Sequence, residues 1–375
     1  MAIDLTGIVS VNEYYTHHYL NTILEEDIKD IIKQLKEEAD ANEDRTPWSK
    51  LKELSRKFYL LDEKLAKNKN IADRYLMQRD FLFELYNVLG YQIDNKTTLL
   101  PVKDNEVIPV LHEVKKSNGA PLLWIIESID EFNSEGEILH NSFKEIQFNT
   151  EKDMYKNFEG MDYEEIISKS IFSSEEPPRW VLLSSYKEIV VIDRTKWGEK
   201  RVLDFKLDDI LSRKEESTLQ AMVVLLYKTT ICPEEGSSFL DTLSENSHKH
   251  ASSVSEDLKY ALRECIELLG NEAIRDMRER QRAGVFNRDL ASKLTVECLR
   301  YMYRILFLLY IEARPELGYA PMKSEEYLKG YSIESLRDVA DKAKLDSDEA
   351  KNGTYIDKTL KHLFNLIYNG FNAGS

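Results

Sequence analysis

The stretch Leu299 to Tyr319, LRYMYRILFLLYIEARPELGY, constrains the chain most. From Leu299 to Ile311 eleven of thirteen residues are apolar or aromatic, interrupted by Arg300 and Arg304, so a helix here is greasy on nearly every face and belongs in a core. At about 1.5 Å per residue thirteen residues cover roughly 20 Å, short of the roughly 30 Å hydrocarbon layer, so the expected core is that of a protein, not a membrane. Pro315 disfavours helical geometry at Arg314 and ends the helix there. Arg304, amid apolar neighbours, then needs a carboxylate or carbonyl partners, and Glu264, Glu297 and Glu312 are the candidate carboxylates.

Length and charge narrow the class further. With 375 residues, 42% apolar, the chain can bury two or three ordinary cores. Sixty-seven acidic residues against 51 basic ones give a net charge of −16, which opposes loose attachment to nucleic acid, so contact with DNA has to be local. Cys232, Cys265 and Cys298 lie 33 residues apart, an odd set without a C-x-x-C pair, which encodes neither a zinc site nor a disulfide scaffold. MAIDLTGIVSVNEYY shows no charged leader before an apolar run, and with reduced thiols this predicts a cytoplasmic protein and no membrane partner.

Along the chain the hydrophobic period changes twice. Tyr19, Ile23, Ile28, Ile31, Ile32 and Leu35 recur at helical spacing within residues 10–39, predicting an amphipathic helix broken once. Pro47 opens a second helix with the stripe Leu51, Leu54, Phe58 and Leu61, and a third runs from about Ile71 to Leu89 and stops at Gly90. Then come short Val/Ile-rich runs, EVIPVLHEV (106–114), PLLWIIESI (121–129), RWVLLSS (179–185) and EIVVIDR (188–194), predicted as strands of one sheet, the last two a hairpin turning at Tyr186 and Lys187. Residues 133–172 read as a peripheral insertion with one helix, MDYEEIISKSIF. Helices return from Ser217. Residues 232–247 read as a polar loop, and Ser253 with Glu256 reads as a capping box opening a helix that reaches about Arg282, with Leu258, Leu262, Cys265, Ile266 and Leu269 buried. This helix is expected to pair antiparallel with 288–314, and helices at 333–344 and 356–368 close the chain. The fold class is α+β, with N-terminal helices and a mixed sheet in residues 1–213 and an all-helical part in 214–375.

Three phrases in one order carry a resemblance. HKHASSVSEDLKYALRECIELLGNEA (His248 to Ala273), YMYRILFLLYIEARPELGY and PPRWVLLSSYKEIVVIDRTKW (Pro177 to Trp197) resemble the region just ahead of the methyltransferase domain in type IIG restriction-modification proteins. They are also similar to related adenine-N6 DNA methyltransferases of phage-defence islands, over roughly residues 75–370. The resemblance implies a PD-(D/E)xK nuclease-like α/β domain followed by a helical connector. It also implies double-stranded DNA as partner, a C-terminal methyltransferase domain, and S-adenosylmethionine as cofactor of the full-length protein.

Metal-assisted phosphodiester hydrolysis needs an acidic residue from one strand, a second carboxylate on the next, and a lysine two residues on. The literal match is Asp104 with Glu113-Val114-Lys115, across an unusual eight-residue gap. A second register uses Glu127, where Ile129 stands in the lysine position and the transition-state charge lacks a cation. The site is therefore expected to be vestigial, with Mg²⁺ relevant only if it is active; Glu113 and Lys115 then read as a solvated strand edge. His248 and His250 form an H-x-H without a third ligand, while His17 and His18 sit in an aromatic segment expected to pack in a core or an interface.

Arg275, Arg278, Arg280, Arg282 and Arg288 cluster at a helix turn, where guanidinium forks can meet phosphate oxygens or simply complement a helix C-terminus. A G-x-G cofactor turn and an N-P-P-aromatic tetrapeptide, which the family uses to hold S-adenosylmethionine and the flipped adenine, do not occur in the sequence. The chain is thus expected to be an N-terminal fragment that cannot methylate alone. An active Mg²⁺-dependent endonuclease and a non-enzymatic protein-binding scaffold are the alternatives.

Overall fold

The computed structural model describes residues 4–93, 97–132, 136–148, 152–281, 288–315, 318–342, 347 and 352–369. The chain divides into two compact units, Met1–Ser253 and Val254–Ser375. The first is mixed α+β and the second is helical.

In the first unit the strands are β1 (Ile8–Val11), β2 (Thr98–Pro101), β3 (Val107–Val110), β4 (His112–Lys115), β5 (Pro121–Glu127), β6 (Trp180–Ser184), β7 (Glu188–Asp193) and β8 (Val202–Lys206). The helices used below are α1 (His17–Thr22), α2 (Leu24–Ala41), α3 (Pro47–Leu65), α4 (Ile71–Val88), α5 (Lys152–Tyr155), α6 (Tyr163–Ile166), α7 (Leu207–Arg213), α8 (Glu216–Leu226) and α9 (Lys228–Ile231). Helix α10 (Phe239–Gln281) starts in this unit. Six strands form a mixed sheet in the order β1-β8-β7-β6-β5-β4, in which β5 and β6 run parallel and the other neighbours antiparallel; β2 and β3 pair separately, so the run 106–114, expected as one strand of a single sheet, is divided between β3 and β4 in two sheets.

Strand alternation sorts side chains onto two faces. Leu203, Val191, Leu182 and Ile125 form one cross-strand row and join the core built with α3, α4 and α8. Val202, Ile192, Val181 and Trp124 form the adjacent row and face the opposite way, into a second core. That second core overturns the expectation of a peripheral insertion. Phe143, Phe148, Phe158, Tyr163, Ile166, Ile167 and Ile171 are all fully buried against the sheet. A sheet with apolar residues on both faces needs two covers, and short irregular turns supply the second one.

The helical expectations for residues 17–90 hold in detail. The first helix breaks at Ile23, Pro47 sits at the start of α3, and Leu51, Leu54, Phe58 and Leu61 are buried. Gly90 follows α4 at φ +83°, where an added Cβ would lie 3.1 Å from the Tyr227 ring. The segment before His17 is strand β1, not helix, because its partner β8 lies some 190 residues away in sequence and neither four-to-five-residue run announces itself alone. The β6–β7 hairpin turns at Tyr186 and Lys187 without positive φ; Ser185 Oγ accepts from the Lys187 and Glu188 amides instead, each at 3.2 Å. His17 and His18 are exposed, so they do not pack in the core.

The helix buried on all sides is α8, not the Leu299 stretch: Leu219 and every residue from Ala221 to Leu226 are buried. Helices α7 to α9 pack within the first unit's core, although the sequence reading parts the chain after residue 213. The segment expected as a polar loop is helical from Phe239, since Leu240 and Leu243 pack inward and Ser247 Oγ accepts the Thr16 amide at 3.0 Å. Ser253 and Glu256 thus lie inside a helix and cap nothing.

In the second unit α10 continues, followed by α11 (Arg288–Glu312), α12 (Glu325–Gly330), α13 (Ile333–Lys342) and α14 (Tyr355–Asn369). Its core is Leu308, Ile333, Leu336, Leu360 and Leu363, drawn from α11, α13 and α14. Among the described residues that cluster takes nothing from α10, on which Leu258 is 47% exposed, so the antiparallel pairing expected from the sequence does not build this core. Helix α11 is amphipathic. Cys298, Leu308 and Ile311 are buried while Tyr303, Phe307 and Tyr310 are 66%, 61% and 53% exposed. Arg304 is exposed too, its guanidinium 5.6 Å from the Phe364 ring, and needs no buried partner. Glu312 is the buried charge of this helix, and its carboxylate accepts the Ile333 and Glu334 amides at the start of α13 and the Tyr327 hydroxyl at 2.7 Å. Leu308→Ala should therefore cost about 2–5 kcal/mol, whereas Phe307→Ala should change stability by about 0.5 kcal/mol or less. Hydrogen exchange of the α13 and α14 amides would check both, and equal effects would show that the two faces are covered alike. Among the described residues no helix is long and apolar enough to cross a membrane.

Candidate functional site

Asp104, Glu113 and Lys115, distant in the strand pattern, line one cavity of about 610 Å³, together with Trp124, Glu175 and Glu176. Asp104 occupies the turn between β2 and β3 with φ 59°, a left-handed conformation that Asp tolerates better than most residues. Glu113 and Lys115 lie on β4, the edge strand, whose register with β5 shifts between Val114 and Lys115. Glu113 pairs directly with Trp124, so both side chains leave the same face. Its carboxylate is engaged on both oxygens: Trp124 Nε1 donates to Oε1 at 3.0 Å, and Lys115 Nζ lies 3.2 Å from Oε2. The lysine thus takes the place a cation would take. Among the described residues no group of three or more His, Cys, Asp or Glu is placed to hold a metal ion.

Glu127 belongs to a different site. Three residues along β5 from Trp124, it leaves the opposite face, so the two nuclease registers cannot share one metal. Arg79 of α4 donates to Glu127 Oε2 through Nε at 3.3 Å and Nη2 at 3.1 Å, lies 4.5 Å from the Tyr75 ring, and also reaches the Thr97 hydroxyl. Oε1 is buried without a hydrogen-bond partner. Desolvation, opposed by Arg79, pushes the carboxyl up to about 7. Around it the carboxyl end of β5 is clamped: Gln147 and Tyr163 donate to the Glu127 carbonyl at 2.7 and 3.0 Å, and Gln78 exchanges two hydrogen bonds with the Asp130 backbone. Arg74 donates to the carbonyls of Leu65, Asn68, Asp130 and Glu131. Glu127 acts here as a buried lock between α4 and the sheet.

A second carboxylate–lysine group escaped the sequence reading. On the β7–β8 ladder Val190 faces Asp204 and Glu188 faces Lys206, which brings these polar side chains to one face. Lys206 Nζ lies 2.6 Å from Glu188 Oε1 and 2.8 Å from Asp204 Oδ2. Both carboxylates are buried, Asp204 Oδ1 has no hydrogen-bond partner, and burial with the Glu188 charge pushes the Asp204 carboxyl up to about 7. The available signal was Asp204-Phe205-Lys206, the same carboxylate-x-lysine spacing as Glu113-Val114-Lys115, with Glu188 on the other arm of the ladder.

A third charged group ties α10 to the sheet. Arg179 pairs with Asp193 and Asp241 at 3.0 and 2.7 Å, while Lys196 lies 3.9 Å from the Tyr14 ring and donates to Ser244 Oγ at 2.9 Å. Burial lowers the Lys196 ammonium to about 8.

Of the clustered arginines, Arg275 and Arg278 are exposed on α10, and Arg275 pairs with Glu272. Arg282 and the side chains of Arg280 and Arg288 lie outside the described residues. The H-x-H histidines sit on α10, with His250 6.4 Å from the Tyr19 ring. No protein-family model matches the chain, and neither a curated protein nor a solved structure is significantly similar to it.

Proposed function

We propose that these residues form the DNA-contacting and scaffolding portion of a type IIG-like restriction-modification or phage-defence adenine-N6 DNA methyltransferase. In this reading the α/β unit is a PD-(D/E)xK-like domain that no longer cleaves, and catalysis with S-adenosylmethionine belongs to a methyltransferase domain outside these residues. The observation that carries it is the cavity shared by Asp104, Glu113 and Lys115, in which Glu113 is already bound by Trp124 and Lys115. The elements of a nuclease site are grouped, yet the strand carboxylate Glu113, which would hold Mg²⁺, already has both oxygens engaged. The exposed Arg275 and Arg278 supply local cations in an acidic chain.

Supercoiled plasmid should remain un-nicked with Mg²⁺ or Mn²⁺, and double-stranded DNA should bind weakly with an affinity that falls as salt rises. Charge reversal of Arg275 and Arg278 should weaken that binding. Nicking abolished by Glu113→Gln would instead make the cavity an active endonuclease. A second reading rests on the exposed Tyr303, Phe307 and Tyr310 face of α11, which suits a helical scaffold for a protein partner. DNA affinity indifferent to salt and to the arginines would favour it.

A further inference from the structure

We propose that Glu188 and Asp204 form a divalent-cation site of the Mg²⁺ or Mn²⁺ class, which Lys206 occupies when the metal is absent. The proposal concerns residues apart from the Asp104 cavity and is independent of the DNA-methyltransferase reading.

Adjacent antiparallel strands hold the two carboxylates on one face, so their approach is set by the ladder and not by flexible side chains. Glu188 and Asp204 are 8% and 7% exposed, and among the described residues Lys206 supplies the one ammonium set against the two carboxyl groups, so with both ionised a negative charge is left in excess. Such a pair costs free energy unless a further cation or a proton joins it. Asp204 Oδ1 marks the unmet demand: it is buried with no donor, while Oδ2 takes the whole of the Lys206 contact. A hard cation with oxygen ligands meets both needs.

The accessibility fits the same ion class. Mg²⁺ keeps several waters and binds proteins through one or two carboxylates, so it needs a site open on one side. Val9, the β1 partner of Asp204 on this face, is 44% exposed, and the Lys206 side chain is 32% exposed. Solvent therefore reaches the edge of the pair while its carboxylates stay buried. On metal binding the Lys206 ammonium swings outward along its four-carbon stem and remains beside the ion, where it can meet an anion such as a phosphate oxygen.

Mn²⁺ binding to the full chain, followed by electron paramagnetic resonance and calorimetry, tests this. One saturable site is expected, with Mg²⁺ competing for it. Asp204→Asn and Glu188→Gln should each weaken it at least about tenfold, Glu113→Gln should leave it unchanged, and Lys206→Met should tighten it because the competing ammonium is gone. Circular dichroism and tryptophan fluorescence identify any variant that fails to fold. Should Asp204→Asn misfold, the Lys206→Met result decides. No saturable Mn²⁺ in either the wild type or folded Lys206→Met would overturn the proposal, as would binding indifferent to Asp204→Asn and Glu188→Gln.

Discussion

Arg79→Met should destabilise the first unit by about 3–5 kcal/mol near pH 8, because it leaves the Glu127 carboxylate buried with no countercharge. The loss should shrink as the pH is lowered toward 5, where Glu127 takes up a proton and no longer needs one. The sign follows from the direction of the shift. The folded-state carboxyl titrates near 7 against an ordinary 4.5, so the folded chain holds this proton more tightly than the unfolded one. The group's stabilising contribution is complete below the unfolded value and is lost as pH rises through about 7, a swing of about 3 kcal/mol. Asp204, also raised to about 7, acts in the same direction. All four tryptophans lie at or before Trp197, so urea unfolding followed by their fluorescence reports the first unit selectively. A destabilisation by Arg79→Met that is equal at pH 5 and pH 8 would show that Glu127 does not carry the charge assigned to it.

Phe143→Ala should cost about 3–5 kcal/mol, an effect no surface insertion would produce. Phe143 is fully buried, meets Tyr163 edge-on at a centroid distance of 4.9 Å, and packs against Phe148 and Phe158 at 5.5 and 6.2 Å. The truncation removes one ring from this cluster and loosens Tyr163, whose hydroxyl donates to the Glu127 carbonyl. The consequences should therefore reach across the sheet, with faster hydrogen exchange at the carboxyl ends of β5 and β6. Unfolding curves that superimpose on the wild type would return residues 138–172 to the status of an appendage.

Glu127 and Phe143 also mark where sequence reasoning stopped. The helices α3 and α4 and the strands β5 to β7 were legible because each carries its own period, boundary residues and turn chemistry within a few residues, whereas β3 and β4 read as one continuous run. Pro47 and Gly90 mark helix ends by local geometry alone. Asp104, Glu113 and Lys115 stand out by residue spacing, but the cavity they line joins the β2–β3 turn to β4 of the other sheet, a meeting that the strand pattern does not announce.

What depended on distant partners was not readable. Strands β1 and β8 define each other across nearly the whole first unit, and in the cover over the second face only Tyr163, Ile166, Ile167 and Ile171 carry a helical period, while Phe143, Phe148 and Phe158 come from short turns without one. The apolar run in α11 shows the limit most clearly: eleven apolar residues in thirteen specify a helix and a large apolar surface, but not how much of that surface other helices cover. Helices α13 and α14 cover one side, leaving Tyr303, Phe307 and Tyr310 exposed, while the shorter α8 is enclosed on all sides. The fates of the carboxylates follow the same rule. That Glu113 meets Lys115 is written in local strand spacing; that Glu127 meets Arg79 and Glu188 meets Asp204 and Lys206 was decided by how helix and strand ladders stack, because burial and charge pairing are properties of the assembled layers rather than of any one segment.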